Sequence, residues 1–159
     1  MDDAPRRPAW VVAAFATALY LAVVVCAYGF VSLATDAEVI PSAEAGLLVG
    51  PAIVGASVLA LLLHLARALR APGRTLRIVV LAAVWSWVAA VLVAVVAYAI
   101  GTGTALAALL FGLGFGVSWF GLLIPAVAAV IAWFAAAVAR AQAGGAERPL
   151  WPWERVDEA

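Results

Sequence analysis

The chain has 159 residues, of which 68% are hydrophobic and 11% charged, with nine basic residues balanced by nine acidic ones and a mean hydropathy of +1.15. A soluble domain carries about 45–50% apolar and about 25% charged residues, so this composition excludes a water-soluble globule, a disordered tail and a nucleic-acid binder. Every basic residue is arginine, and the lone Cys26 allows neither an intrachain disulfide nor a second thiol for a metal.

Arg6 and Arg7 precede the first apolar run, which continues for about 25 residues and exceeds the ~7–15 of a signal-peptide core. No small-residue cleavage site closes it, and Val25 stands where a lipoprotein acceptor ahead of Cys26 needs a small residue. The run reads as a retained spanning helix over 8–33. A helix needs about 20 apolar residues to cross ~30 Å of hydrocarbon, and two further runs meet that length, 45–66 and 78–100. A fourth span, 112–139, falls within the apolar stretch Ala105–Val138. Backbone amides inside lipid must be satisfied within their own segment, which makes these helices and not strands. The expected fold is all-α, a single-domain integral membrane bundle of four transmembrane helices.

The connections differ sharply in charge. The loop 34–44 holds only the acids Asp36, Glu38 and Glu44, and the turn Gly101–Thr104 is uncharged. Arg67, Arg70, Arg74 and Arg77 fall between the second and third spans, while Arg140, Arg148 and Arg155 follow the fourth. All nine arginines therefore lie on one side of a four-span chain. The positive-inside rule then predicts both termini, 1–7 and 140–159, and the basic loop 67–77 in the cytoplasm, with the acidic loop 34–44 and the turn 101–111 outside.

The stretch Ala105–Val138 is too long for one crossing, since 34 residues of helix extend ~51 Å. Two short crossings would carry Arg140, Arg148 and Arg155 outside, so one span is expected. Gly112, Gly114 and Gly116 should weaken helix at its outer end, leaving 105–111 as an outer turn, a tilted extension or an interfacial helix. Pro125 should bend the span by removing the bond to the Gly121 carbonyl, and Pro51 should act similarly in the second helix. Trp10 and Trp133 fall near the inner interface and Tyr28, Phe30, Tyr98 and Trp119 near the outer one, as aromatic belts require. Trp85 and Trp87 lie deeper, on different faces of the third helix.

None of the spans holds an Asp, Glu, Lys or Arg at its hydrocarbon centre, which argues against carboxylate-coupled transport and carboxylate proteolysis. Ser118, in GVSWFG, and His64, the only histidine, would have to meet at ~3 Å to act as nucleophile and base. Ser118 lies ~30 Å up from the inner end of the fourth span and His64 within about one turn of the cytoplasmic edge, so no catalytic residue, metal site or cofactor is expected. The arginines 67, 70, 74 and 77 have helical spacing interrupted by Pro72 and Gly73, and suit either solvation near headgroups or contact with anionic lipid headgroups or a phosphorylated ligand. The small-residue pairs Gly46/Gly50, Ala52/Ala56 and Gly112/Gly116 suit close helix packing, within the bundle or between copies. Thr17, Ser57 and Ser86 are candidates for interhelical hydrogen bonds or for lining a polar pathway. In the tail RPLWPWE, Trp151 and Trp153 flank Pro152 and suit an interfacial anchor or a partner contact.

The segment LYLAVVVCAYGF from Leu19 to Phe30, the acidic loop leading through Pro41 to Gly50 and Pro51, and the tail RPLWPWE together resemble a group of uncharacterised actinobacterial four-helix membrane proteins. The resemblance implies a multi-pass protein of the bacterial plasma membrane and assigns no active residue. The expected role is a non-enzymatic accessory or scaffold protein whose surroundings are the bilayer and another membrane protein or a second copy. A subunit of a small channel or transporter is the alternative.

Overall fold

The computed structural model describes residues 6–36, 48–70 and 73–143. Among them the backbone is all-helical: α1 (Arg6–Thr35), α2 (Val49–Ala68), α3 (Thr75–Thr102), α4 (Ala105–Val117) and α5 (Trp119–Ala143). Four of these contain apolar stretches long enough to cross a membrane: Ala9–Thr35, Val49–Ala68, Thr75–Thr102 and Trp119–Gln142. At 1.5 Å per residue even the shortest, 20 residues, reaches about 30 Å. These four helices suit a multi-pass membrane protein. With 13 residues, α4 extends only about 20 Å, too short to cross alone.

The helix ends follow local chemistry. α1 ends at Asp36, whose φ of 51° is left-handed. Gly103, at φ 70°, ends α3, its N–H donating to the Ala99 carbonyl at 2.8 Å, and a glycine adopts that conformation without steric penalty. α2 begins at Val49, so Pro51 lies in its first turn, where the missing N–H has no helical partner to lose. Pro51 therefore costs α2 no helical hydrogen bond, the loss from which a bend was expected. α5 continues through Pro125.

The fourth span departs most from expectation. Gly112, Gly114 and Gly116 all lie inside α4 as helix, and the chain breaks instead at Ser118, whose backbone is extended at φ −69° and ψ 163°. The span thus begins at Trp119 and not at residue 112, and 105–117 is a helix in its own right. Residues 105–111, expected as an outer turn, a tilted extension or an interfacial helix, are the first part of this helix. Successive contacts of Gly112 with Val91 and Val95, and of Gly116 with Val91 and Trp87, run α4 back along the second half of α3.

Packing is organised by four-residue stripes. The buried face of α2 is Val49, Ile53, Ser57, Leu61 and Leu65, and that of α3 is Ile78, Ala82, Ser86, Ala90 and Ala94. Small side chains on α3 let its backbone approach its neighbours closely, and α3 contacts α2, α4 and α5, whereas α1 packs on α5 and α2. Tyr20, Val24, Ile53, Leu61, Leu65 and Ile124 fill the centre with essentially no exposure. The outer surface is apolar, including Phe15, Phe30, Leu92, Leu106, Val117 and Trp119, as a lipid-facing surface requires.

Candidate functional site

Three arrangements bring chemically distinctive residues together. The first lies at the base of the α2–α3 hairpin. Half-buried His64, near the end of α2, places Nε2 3.0 Å from the carbonyl oxygen of Ile78 in the first turn of α3. That contact sets the end of α2 beside the start of α3, and the four arginines lie in or next to these helix ends. Arg67 lies in the last turn of α2, Arg70 follows the helix, Arg74 is the residue before α3 and Arg77 is in its first turn. The hairpin, not one continuous helix, brings them together. Arg67 donates to the Leu63 carbonyl at 3.3 Å, while Arg70, Arg74 and Arg77 are exposed and carry no side-chain hydrogen bond or ion pair among the described residues.

The second is the joint between α4 and α5. Ser118 Oγ donates to the Phe115 carbonyl at 2.6 Å and accepts from the Gly121 N–H at 3.1 Å, closing one helix and capping the next. Trp87 Nε1 donates to the Gly116 carbonyl at 3.0 Å from near the middle of α3, and the Tyr28 hydroxyl donates to the Phe120 carbonyl at 2.9 Å from α1. The Tyr28 and Phe120 rings meet edge to face at 5.2 Å. Tyr28 is thus a core residue, 8% exposed, whose hydroxyl is satisfied by a carbonyl inside the bundle. Tyr98 stacks on Phe111 at 4.4 Å, fixing the outer part of α4 to α3. Trp85 and Trp87 do face different ways, Trp85 outward and Trp87 toward the joint.

The third is the polar set in the bundle centre. Thr17 donates to the Ala13 carbonyl and Ser86 to the Ala82 carbonyl, each at 2.7 Å and each within its own helix. Only Ser57 takes part in a bond between helices, accepting from the Tyr20 hydroxyl at 3.1 Å while donating to the Val54 carbonyl at 2.8 Å. All three are buried, and of the two roles open to them Ser57 takes the interhelical hydrogen bond. Tyr20, the partner that makes Ser57 an interhelical contact, carried no signal in the sequence beyond its fit to the α1 stripe Ala13, Tyr20, Val24.

Ser118 and His64 do not meet. Through Trp87 the Ser118 joint sits beside the middle of α3, whereas His64 touches Ile78, and the rise from Ile78 to Trp87 alone is about 13 Å. Of the small-residue pairs, Gly112/Gly116 is at a helix contact, with a Cβ on Gly116 3.0 Å from Val91 Cγ2. Ala52 is exposed and off the α2 buried stripe, so Ala52/Ala56 is not the α2 packing seam. Gly50 falls in α2, but Gly46, Trp151 and Trp153 lie outside the described residues. The buried small-residue stripe Ala82, Ser86, Ala90 and Ala94 is not among the expected pairs, although it has the same four-residue signature.

No curated protein and no solved structure matches the chain. With a whole-chain match over residues 1–159 joined to this all-helical apolar architecture, the chain belongs to the family described as a family of unknown function, DUF6121.

Proposed function

We propose that this protein is a non-enzymatic accessory or scaffold protein of the bacterial plasma membrane, with both termini in the cytoplasm and α2–α3 turning on the cytoplasmic side. The observation that carries this reading is how the interior polar groups are used. Tyr20, Ser57, Thr17, Ser86, Tyr28 and Trp87 are all hydrogen-bonded within the bundle, and apolar side chains fill the space between them. Such an interior supports a packed role, and the outer surface and the arginine-rich ends are then what the protein presents to others. Small-residue helix faces and the tail tryptophans Trp151 and Trp153 are the proposed contacts with another membrane protein or a second copy.

Mild crosslinking in native membranes followed by affinity purification tests it. A defined partner or a self-adduct is expected, lost on replacing Trp151 and Trp153 with alanine while the membrane level is unchanged. Recovery of the monomer alone would overturn the scaffold reading. A C-terminal reporter enzyme active only outside the cytoplasm should be silent, and activity would overturn the orientation.

A second reading, a subunit of a small channel or transporter, is favoured by α4. Discontinuous helices that stop at membrane depth recur in transporters, where interrupted backbone is buried in protein or lines a cavity. Selective solute flux in vesicles reconstituted with the purified protein, and its absence from empty vesicles, would favour this reading over the first.

A further inference from the structure

We propose that the base of the α2–α3 hairpin is a binding site for the headgroup of an anionic phospholipid, held by Arg70, Arg74 and Arg77 with Arg67 at its edge. The site is assembled from two helices. The His64–Ile78 contact sets the end of α2 beside the start of α3, so the four arginines lie at or next to the adjoining ends of two helices.

Three guanidinium groups with no protein partner among the described residues remain free to take phosphate oxygens, and arginine's fork suits bidentate contact with them. The start of α3 adds to this. It opens on Arg74 without a side-chain cap and with no acid in its first turn, so its positive end is reinforced by arginine where a carboxylate would ordinarily oppose it.

The apolar surroundings select a lipid over a free phosphate. Leu59, Leu63 and Arg67 form one stripe at four-residue spacing on α2, and both leucines are exposed. On α3, Leu76, Val80 and Val84 continue the same pattern beside Arg77 and are exposed as well. A cationic cluster that passes directly into two exposed apolar stripes matches a ligand with an anionic head and an aliphatic tail. A soluble phosphate would use only the first part. The binding rests on the membrane reading above, while the orientation proposed there decides only which leaflet supplies the lipid.

The test uses the full chain purified in a neutral detergent, with bound lipid counted by native mass spectrometry after adding phosphatidylglycerol or phosphatidylcholine. Preferential retention of phosphatidylglycerol is expected, on the order of fivefold per engaged arginine. The double variant Arg74→Gln/Arg77→Gln should lose most of that preference. Arg74→Lys/Arg77→Lys keeps the charges that set topology but not the fork, and should retain less of the preference than the native chain. Thermal melting shows whether each variant is folded. Displacement of phosphatidylglycerol by millimolar inorganic phosphate would assign the site to free phosphate and overturn the lipid reading. Equal retention of the two lipids by the native chain, or full preference in the folded Gln variant, would overturn it too. None of these readings depends on which side of the membrane the arginines face.

Discussion

Gly121 sits on the inside of the bend between α4 and α5, where a Cβ would run into the carbonyl oxygen of Phe115 and come within 2.9 Å of that of Gly116. Both obstacles are backbone, so a side chain there can be accommodated only by opening the joint. Gly121→Ala is expected to destabilise the fold by about 3 kcal/mol, at the upper end of overpacking effects. Gly112→Ala meets the side chain of Val95, which has some freedom to shift, and should cost about 1–2 kcal/mol. At Gly114 nothing lies within 4 Å of the added carbon, and Gly114→Ala should be neutral or gain up to about 0.5 kcal/mol from helix propensity. Denaturant titration in mixed micelles checks the order of the three, and a Gly121→Ala variant as stable as Gly114→Ala would sink this account. Tyr20→Phe and Tyr28→Phe each remove one buried interhelical donor. Losses of about 0.6 kcal/mol each, the average for such bonds within membranes, are expected from the same titration.

The joint is also where sequence and structure part at the level of elements. The four long spans were legible because length, apolar content and flanking charge all point the same way. Their observed limits differ from the expected ones by only a few residues, except at the fourth. There, propensity alone makes the three glycines the weak point, yet glycine's lost helix propensity is offset when the absent side chain admits a neighbour. Gly112 and Gly116 use that space for α3, so they sit in intact helix. The break falls at Ser118, whose hydroxyl offers the backbone an alternative to continuing the helix. Ser118→Ala removes both the bond to Phe115 and the cap on Gly121. It should destabilise the start of α5 by about 1 kcal/mol, as loss of a cap does. Hydrogen exchange should speed up at residues 119–122 and stay unchanged in α2 and the first half of α3. Uniform acceleration across the molecule would mean that the joint is not a separately held element.

At the scale of the whole molecule, the helix order places every described arginine side chain, Arg67, Arg70, Arg74, Arg77 and Arg140, at one end of the bundle. Asp36, Gly103 and Thr104 mark the other. That segregation was legible from charge alone, because the cost of carrying arginine across lipid acts on each connection independently of how the helices pack. The contact that sets the end of α2 beside the start of α3, His64 to the Ile78 carbonyl, was not legible, since no local pattern encodes a histidine-to-backbone bond between two helices. Which side this end faces can be read with thiol chemistry. Cys26 is the only cysteine in the chain and is exposed on α1, so replacing it with alanine leaves a thiol-free background. In that background, Gly73→Cys and Thr104→Cys put single thiols in opposite turns, and a Cβ at Gly73 meets nothing within 4 Å. In intact cells stripped of any outer barrier, a membrane-impermeant maleimide should label Thr104→Cys and leave Gly73→Cys unlabelled until the membrane is permeabilised. The reverse pattern would invert the topology. Labelling of both before permeabilisation would show that α2 and α3 do not each cross the bilayer, whereas labelling of neither until permeabilisation would place both turns on the inner side.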